Sequence, residues 1–193
     1  MAESEFTRPD FLSPIDVEAR IAATPEHSTI KGMMFKPLLK AVEEKTQQRL
    51  GRGHYAAFTD YPLREFMQVV VEAARTLHGD LPLGEALRRL GLPVYGNLKQ
   101  SAAGTFLFAL AGRDLMAAVR LVNRVYNMLT TASAEAEIVN DRHAVIHLRG
   151  SYAFPEYYQT GIYEGALEIF EQQGQVRMRQ SAPGAIDFQI LLT

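Results

Sequence analysis

The chain of 193 residues contains no cysteine. That absence excludes disulfides, thiolate nucleophiles, sulfur-ligated metals and thioester-linked lipids together. No stretch approaches the roughly 18 consecutive apolar residues that a membrane-spanning helix needs. No block of lysine and arginine stands out. Twenty basic residues against 22 acidic ones leave a formal net charge of −2, so binding to nucleic acid or to an anionic membrane has no electrostatic support. The opening MAESEFTRPD is polar and acidic and lacks the apolar centre of a secretion signal. A cytoplasmic protein is the expectation.

What is present is enough for a packed core. Hydrophobic residues make up 47% of the chain, and the length suits one domain. Residues 1–14, with Pro9 and Pro14, read as a flexible N-terminal tail. Residues 15–193 read as a single α+β domain. A short helix is expected after Asp16, stopped by Pro25. A second starts around Pro37 and is ended by Gly51. Asp60 is expected to cap a third, with Leu63, Phe66, Val70, Ala74 and Leu77 at helical period. A short helix over 84–90 is closed by Gly91 and followed by Pro93. A further helix is expected over 96–110, with Leu98, Ala102, Phe106 and Leu110 on one face. Asp114 caps the clearest helix, whose apolar positions run from Leu115 through Val122 and Tyr126 to Leu129.

The last sixty or so residues are the most informative. They read as strand, strand, helix, strand, strand. With Asn140-Asp-Arg142 as a loop, Ala134, Ala136 and Ile138 share a face with Ala144, Ile146 and Leu148. Glu135 then lies opposite His147. A slip of one residue would mix the faces, so this register is well specified. Ala182-Pro-Gly184 supplies turn chemistry for a second hairpin. There Val176 and Met178 share a face with Ile186, Phe188, Ile190 and Leu192, and Arg179 lies near Asp187 on the wet side. Each hairpin has one apolar face, so helices are expected to cover one side of the sheet. Between the hairpins, 156–173 reads as an amphipathic helix. Tyr158, Ile162, Ala166, Ile169 and Phe170 face inward, and Glu164, Glu168 and Glu171 form a solvated stripe. Gly161 and Gly165 stand four apart and permit close approach to a neighbouring strand or helix.

The run Gly161-Ile-Tyr-Glu-Gly-Ala-Leu-Glu-Ile-Phe-Glu-Gln-Gln-Gly174, followed by a strand, a turn and a last apolar strand, resembles the C-terminal half of a known ligand-binding fold. Haem nitric-oxide-binding domains, vinyl-reductase-type domains and TRAPP-type tethering subunits share that fold. With Ile30-Lys-Gly-Met-Met-Phe35, Tyr61-Pro-Leu63 and Gly112-Arg-Asp-Leu115, the chain is identified as a member of the myxobacterial paralogous family of small proteins of unknown function. The resemblance covers residues 15–192. It implies N-terminal helices packed on an antiparallel sheet with a C-terminal ββαββ unit, and a pocket between helices and sheet. Haem nitric-oxide-binding domains use a histidine on the helix before the first hairpin and a Tyr-x-Ser-x-Arg motif. Here the corresponding helix, 114–130, has no histidine. Arg149-Gly-Ser-Tyr-Ala offers only Ser151 to the motif. No cofactor is therefore expected.

Chemistry-bearing residues do not assemble into a catalytic set. His27, His54, His78, His143 and His147 are scattered. His143 and His147 share a strand face but stand about 13 Å apart at ~3.4 Å per residue, too far for one tetrahedral metal. Arg113, Arg120 and Arg124 read as a solvated helix face. Gly51-Arg-Gly-His lacks the lysine and serine or threonine of a phosphate loop. Ser101, Ser151 and Ser181 lack a nucleophile-elbow context. Tyr152, Tyr157, Tyr158 and Tyr163 cluster with Phe154, as core packing or as pocket lining. The expectation is a non-catalytic, sensory or small-molecule-binding protein. Its pocket candidates are Phe106, Leu110, Val122, Tyr126, Tyr158 and Ile162, and its ligand is small and apolar. The alternative is a ligand-free scaffold that dimerises through its helices as TRAPP-type subunits do. A homodimer or a protein partner is expected, without nucleic acid or membrane insertion.

Overall fold

A computed structural model of the chain describes residues 5–100, 112 and 114–193. In the N-terminal half, α1 (Val17–Ala23) is capped by the Asp16 carboxylate, which accepts from the Ala19 N–H. Strand β1 (Thr29–Lys31) pairs antiparallel with β2 (Asp60–Pro62), closing a long loop that contains α2 (Lys36–Thr46). Asp60 is thus not a helix cap. It pairs with Lys31, at 2.7 Å, and the next helix, α3 (Leu63–Leu77), starts after Pro62 with no side-chain cap. Strand pairing wins there because the Leu63 N–H is already satisfied by the Ser28 carbonyl. The chain also leaves α2 earlier than expected, through Gln47 at φ 60, well short of Gly51.

α3 buries Leu63, Phe66, Met67, Val70 and Ala74 against a first core centred on Phe35. The Phe35 ring stacks on Tyr55 with centroids 3.8 Å apart. Next come α4 (Leu83–Gly91) and α5 (Val94–Gln100). The expected helix over 96–110 lies mostly outside the described residues. The helix expected after Asp114 is two: α6 (Leu115–Arg120) and α7 (Val122–Leu129). At Leu121 the backbone N–H reaches the Ala118 carbonyl at 3.0 Å, a tightened turn that breaks the regular ladder.

Strands β3 (Ser133–Asn140), β4 (His143–Arg149), β5 (Gly174–Ala182) and β6 (Ala185–Leu192) form an antiparallel sheet in the order β3-β4-β6-β5. The expected face pairing holds: Ala134, Ala136 and Ile138 oppose Leu148, Ile146 and Ala144, while Val176 and Met178 oppose Ile190 and Phe188. Glu135 opposes His147, as the register requires. The first turn is tighter than expected. Asn140 already pairs with His143 and accepts from the Arg142 N–H at 2.9 Å, and a bulge near Val139 absorbs the extra residue.

The segment after β4 is irregular. Phe154 is fully buried at φ 49, and residues 155–159 form one wide π turn before α8 (Thr160–Ile169). Of the residues expected to face inward, Ala166 and Phe170 are buried in a second core made by the sheet, α6 and α7, joined by Tyr163 and Leu167, while Ile169 is partly buried there and Tyr158 and Ile162 pack with the first core. α8 ends earlier than 173, where Glu171 turns to φ 54 and the Gln172 N–H closes on the Leu167 carbonyl. The two glycines of α8 let it lie directly on α4: an added Cβ on Gly161 would strike the Arg88 carbonyl, and one on Gly165 the Leu92 carbonyl. That approach changes the expected solvated stripe. Glu164 is not a free surface carboxylate but accepts from Arg88 Nε at 2.5 Å; Glu168 and Glu171 are exposed.

Residues 5–14, read from composition as a loose tail, carry specific contacts. Thr7 exchanges two backbone hydrogen bonds with Met178, at 2.9 and 2.8 Å, extending the β5 edge. Phe11 packs on Tyr157 and under the Arg88 guanidinium. No helix among the described residues is long and apolar enough to cross a membrane.

Candidate functional site

Apolar side chains from both cores meet at a seam, and there they leave a cavity of about 150 Å³. Its wall takes Ile30, Leu63 and Phe66 from the N-terminal half. It takes Leu115, Val119, Val122 and Tyr126 from α6 and α7, Ile146 and Ile190 from the sheet, and Ile162 and Ala166 from α8. The chain between β4 and α8 closes one side with Gly150, Ser151, Tyr152, Ala153, Pro155 and Tyr158. Among the described residues no charged side chain lines it.

Of the six residues singled out from sequence, the structure brings Val122, Tyr126, Tyr158 and Ile162 together on this wall. Phe106 and Leu110 lie outside the described residues. Tyr126 and Ile162 are only half-buried. Sequence reasoning missed the β1 side of the wall, Ile30 and Met34, and the strained connector. Their signals were weak: a three-residue strand, and a Gly-Ser pair after β4 with Gly150 at φ 74.

The wall is apolar but not featureless. Burial pushes the hydroxyls of Tyr95, Tyr126 and Tyr158 well above the ordinary phenol range, so they stay neutral and act as hydrogen-bonding groups rather than bases. Burial also raises Tyr163, with the neighbouring Tyr126 hydroxyl adding to the effect and Gln159 opposing it. The Tyr163 hydroxyl is itself buried, beside Tyr126 and Gln159. Tyr126, Gln159 and Tyr163 all belong to the cavity wall.

The histidines and the polar face of the sheet lie elsewhere. His147 Nδ1 is 2.9 Å from Asp187 Oδ1, and the His143 ring meets Gln189 at 3.2 Å. Asp187 also accepts from Arg149 at 2.9 Å and Arg179 at 3.0 Å. None of the five histidines lines the cavity. Among the described residues no group of three His, Asp or Glu side chains is placed to hold a metal.

Residues 23–191 match the family described as "Protein of unknown function (DUF2378)", and the chain belongs to that family. No curated protein matches it. Among solved structures, an H-NOX domain from Shewanella oneidensis in the Fe(II)CO state is 15% identical with a TM-score of 0.65, the match covering 84% of this chain and 98% of that one. An Fe(II) unliganded H-NOX protein from K. algicida is 18% identical with a TM-score of 0.62, covering 84% and 96%. A mutant H-NOX protein of T. Tengcongensis is 15% identical with a TM-score of 0.62, covering 84% and 97%. At such identities the likeness shows the fold, a mixed helix and antiparallel-sheet architecture of the H-NOX kind.

Another of these matches concerns haem distortion in H-NOX proteins, so the residues here bear a direct comparison with what a haem needs. They do not fit. A cavity of about 150 Å³ is of the size that takes a single benzene ring, far below a tetrapyrrole. Its described wall offers no imidazole for iron and no cation for propionates. Ser151, the one residue matching the haem-binding motif, is on the wall, but Arg149 is drawn to Asp187 on the other face of the sheet.

Proposed function

We propose that this chain is a non-catalytic sensor that captures a small apolar molecule, about one ring in size, in the cavity between its helices and its sheet. The observation that carries this reading is a cavity at the meeting point of two cores, with no charged side chain among the described residues of its wall. An empty apolar void forfeits dispersion contacts along its whole lining, and a matching ligand restores them. Such cavities are few in a well-packed protein and are the default sites for ligands.

The wall includes two irregular pieces of backbone, the tightened turn at Leu121 and the Gly150-to-Gln159 connector, which contains the left-handed Phe154. Filling the cavity would favour one arrangement of α7 against the sheet, which a protein partner could read. The tyrosines of the wall are held neutral by burial and so serve as hydrogen-bonding groups rather than bases. A cytoplasmic setting, a homodimeric or heteromeric partner and the myxobacterial family placement belong to the same proposal.

The competing reading is a ligand-free scaffold that dimerises through its helices. It needs a broad apolar patch on the helical surface. Among the described residues the large exposed apolar side chains are Leu12, Phe58 and Val139, none of them on a helix.

Native mass spectrometry of the purified protein, followed by denaturing spectra of the same sample, tests the proposal. A mass excess that vanishes on denaturation is expected. A bare mass, together with no chemical-shift change on adding toluene, would overturn the sensor in favour of the scaffold.

A further inference from the structure

We infer that residues 6–20 form a strap that tightens on the fold when the cavity is filled, with the π turn at 155–159 as the piece that strap and cavity share. The inference rests on the cavity reading above and adds how occupancy reaches the surface.

The π turn has two working sides. Pro155, Tyr158 and Gln159 lie on the cavity wall. Glu156 and Tyr157, between them, hold the N-terminal segment instead. Glu156 is ion-paired with Arg20 of α1, and the Tyr157 ring packs on Phe11 with centroids 6.3 Å apart. Gly84 of α4 permits that seat: a Cβ there would meet the Phe11 carbonyl oxygen at 2.7 Å and the Tyr157 ring at 3.1 Å. Arg8 and Arg88 lie over the Phe11 ring, 5.9 and 5.4 Å from its centroid.

The two ends of the strap are held unequally. At Arg20 the join is firm. Only 5% of Glu156 is exposed, and a buried carboxylate that loses its cation is left uncompensated at high cost. The turn and α1 therefore move as a unit. At the other end the strap rests on the two Thr7–Met178 backbone bonds and on Arg8, whose side chain is 69% exposed and 3.9 Å from Glu164. Exposed pairs of that kind contribute little, so this end opens readily.

The turn itself can shift. One extra residue widens it relative to an α turn, and Phe154 ahead of it holds a left-handed conformation that only its surroundings enforce. An empty cavity leaves Pro155 and Tyr158 room to move, and a ligand fills that room. Fixing them fixes Glu156 and Tyr157, and with them the seats of Arg20 and Phe11.

The test follows amide hydrogen exchange by NMR on the full-length protein, with and without saturating toluene, while chemical shifts in the same samples report binding. Thr7 and Met178, neither on the cavity wall, are expected to exchange at least about fivefold more slowly with toluene. A double variant, Arg20→Gln with Glu156→Gln, removes the ion pair without stranding a charge. It is expected to bind toluene yet lose the slowing at Thr7 and Met178. Core amides such as that of Ile146 are expected to slow in both proteins, since any ligand of the folded state opposes global unfolding. Phe11→Ala cuts the other join to the turn and is expected to behave as the double variant does, which keeps the test open should that variant not fold. Bound toluene with unchanged exchange at Thr7 would overturn the inference and leave the cavity reading intact. Slowing that survives in every folded variant would overturn the relay through the π turn. No toluene binding to the wild type would overturn both readings.

Discussion

Gly161 of α8 lies against the Arg88 carbonyl of α4 so closely that any Cβ would collide with it. The same crossing repeats at Gly165 against Leu92 and, from the other helix, at Gly91 against Tyr158. Backbone, not a flexible side chain, is the obstacle in each case, so the helices cannot yield locally. In a free helix alanine would be favoured over glycine by about 1 kcal/mol. Here Gly161→Ala is expected to destabilise the fold by about 2–3 kcal/mol, measured as a lower urea midpoint. An unchanged or raised midpoint would refute the close crossing and, with it, the placement of Tyr158 and Ile162 on the cavity wall.

Filling the cavity from α6 separates binding from folding. Ala118 is buried and lies on the wall. Ala118→Leu adds three carbons to an existing void, so stability is expected to hold or rise by about 0.5–1 kcal/mol. Affinity for a single-ring probe such as toluene is expected to fall at least about tenfold, since each lost kilocalorie and a half of contact is a decade in binding. Wild-type toluene affinity in a stably folded Ala118→Leu protein would place the ligand elsewhere.

Haem gives an independent check on the size and chemistry of the site. His27 and His54 are exposed, and His143 and His147 are engaged by Gln189 and Asp187 on the sheet's polar face. Titration with haemin is expected to give no saturable Soret shift. A one-to-one band with a defined ligation spectrum would show that the cavity enlarges and finds an axial ligand, against the size and chemistry of its wall.

The sheet was the most legible part of the sequence. A period of two with one apolar face leaves only one register that buries Ile146, Phe188 and Ile190 together, and the pairing follows. The helices were legible as amphipathic runs but not in their ends. Asp60 resembles a cap in sequence, yet it forms a strand pair with Lys31 that lies 29 residues away, and no local pattern announces a contact of that range. The break at Leu121 and the π turn before α8 were invisible for a related reason: both keep the apolar spacing of a continuous helix and are set by what they pack on. The cavity candidates were readable only as inward-facing helix residues. Much of the wall comes from β1, the sheet and the connector, whose inward faces are assigned by tertiary position. Tyr163 is legible in sequence as an aromatic; its burial beside Tyr126 and Gln159 is a property of three dimensions.

Asp187 is a further structural element with a sharp consequence, for acid stability. Only 4% of its surface is exposed, and it is flanked by His147, Arg149 and Arg179. Burial by itself would raise its pKa, but hydrogen bonds from His147, Arg179 and Arg149, with the Arg149 charge, more than offset this and hold it below the ordinary carboxylate value. A group with a depressed folded-state pKa stabilises the fold fully above its unfolded pKa of about 4, and that contribution is lost as pH falls through the lower folded-state value. Asp187→Asn is therefore expected to destabilise the protein by about 2 kcal/mol at pH 7, where charge-assisted bonds are lost. The gap between wild type and variant should stay constant down to about pH 4 and then close as the wild-type carboxylate takes up its proton. Urea midpoints for both proteins from pH 7 to pH 2 would measure this. A gap that stays open throughout would mean that Asp187 acts through packing, with its charge incidental.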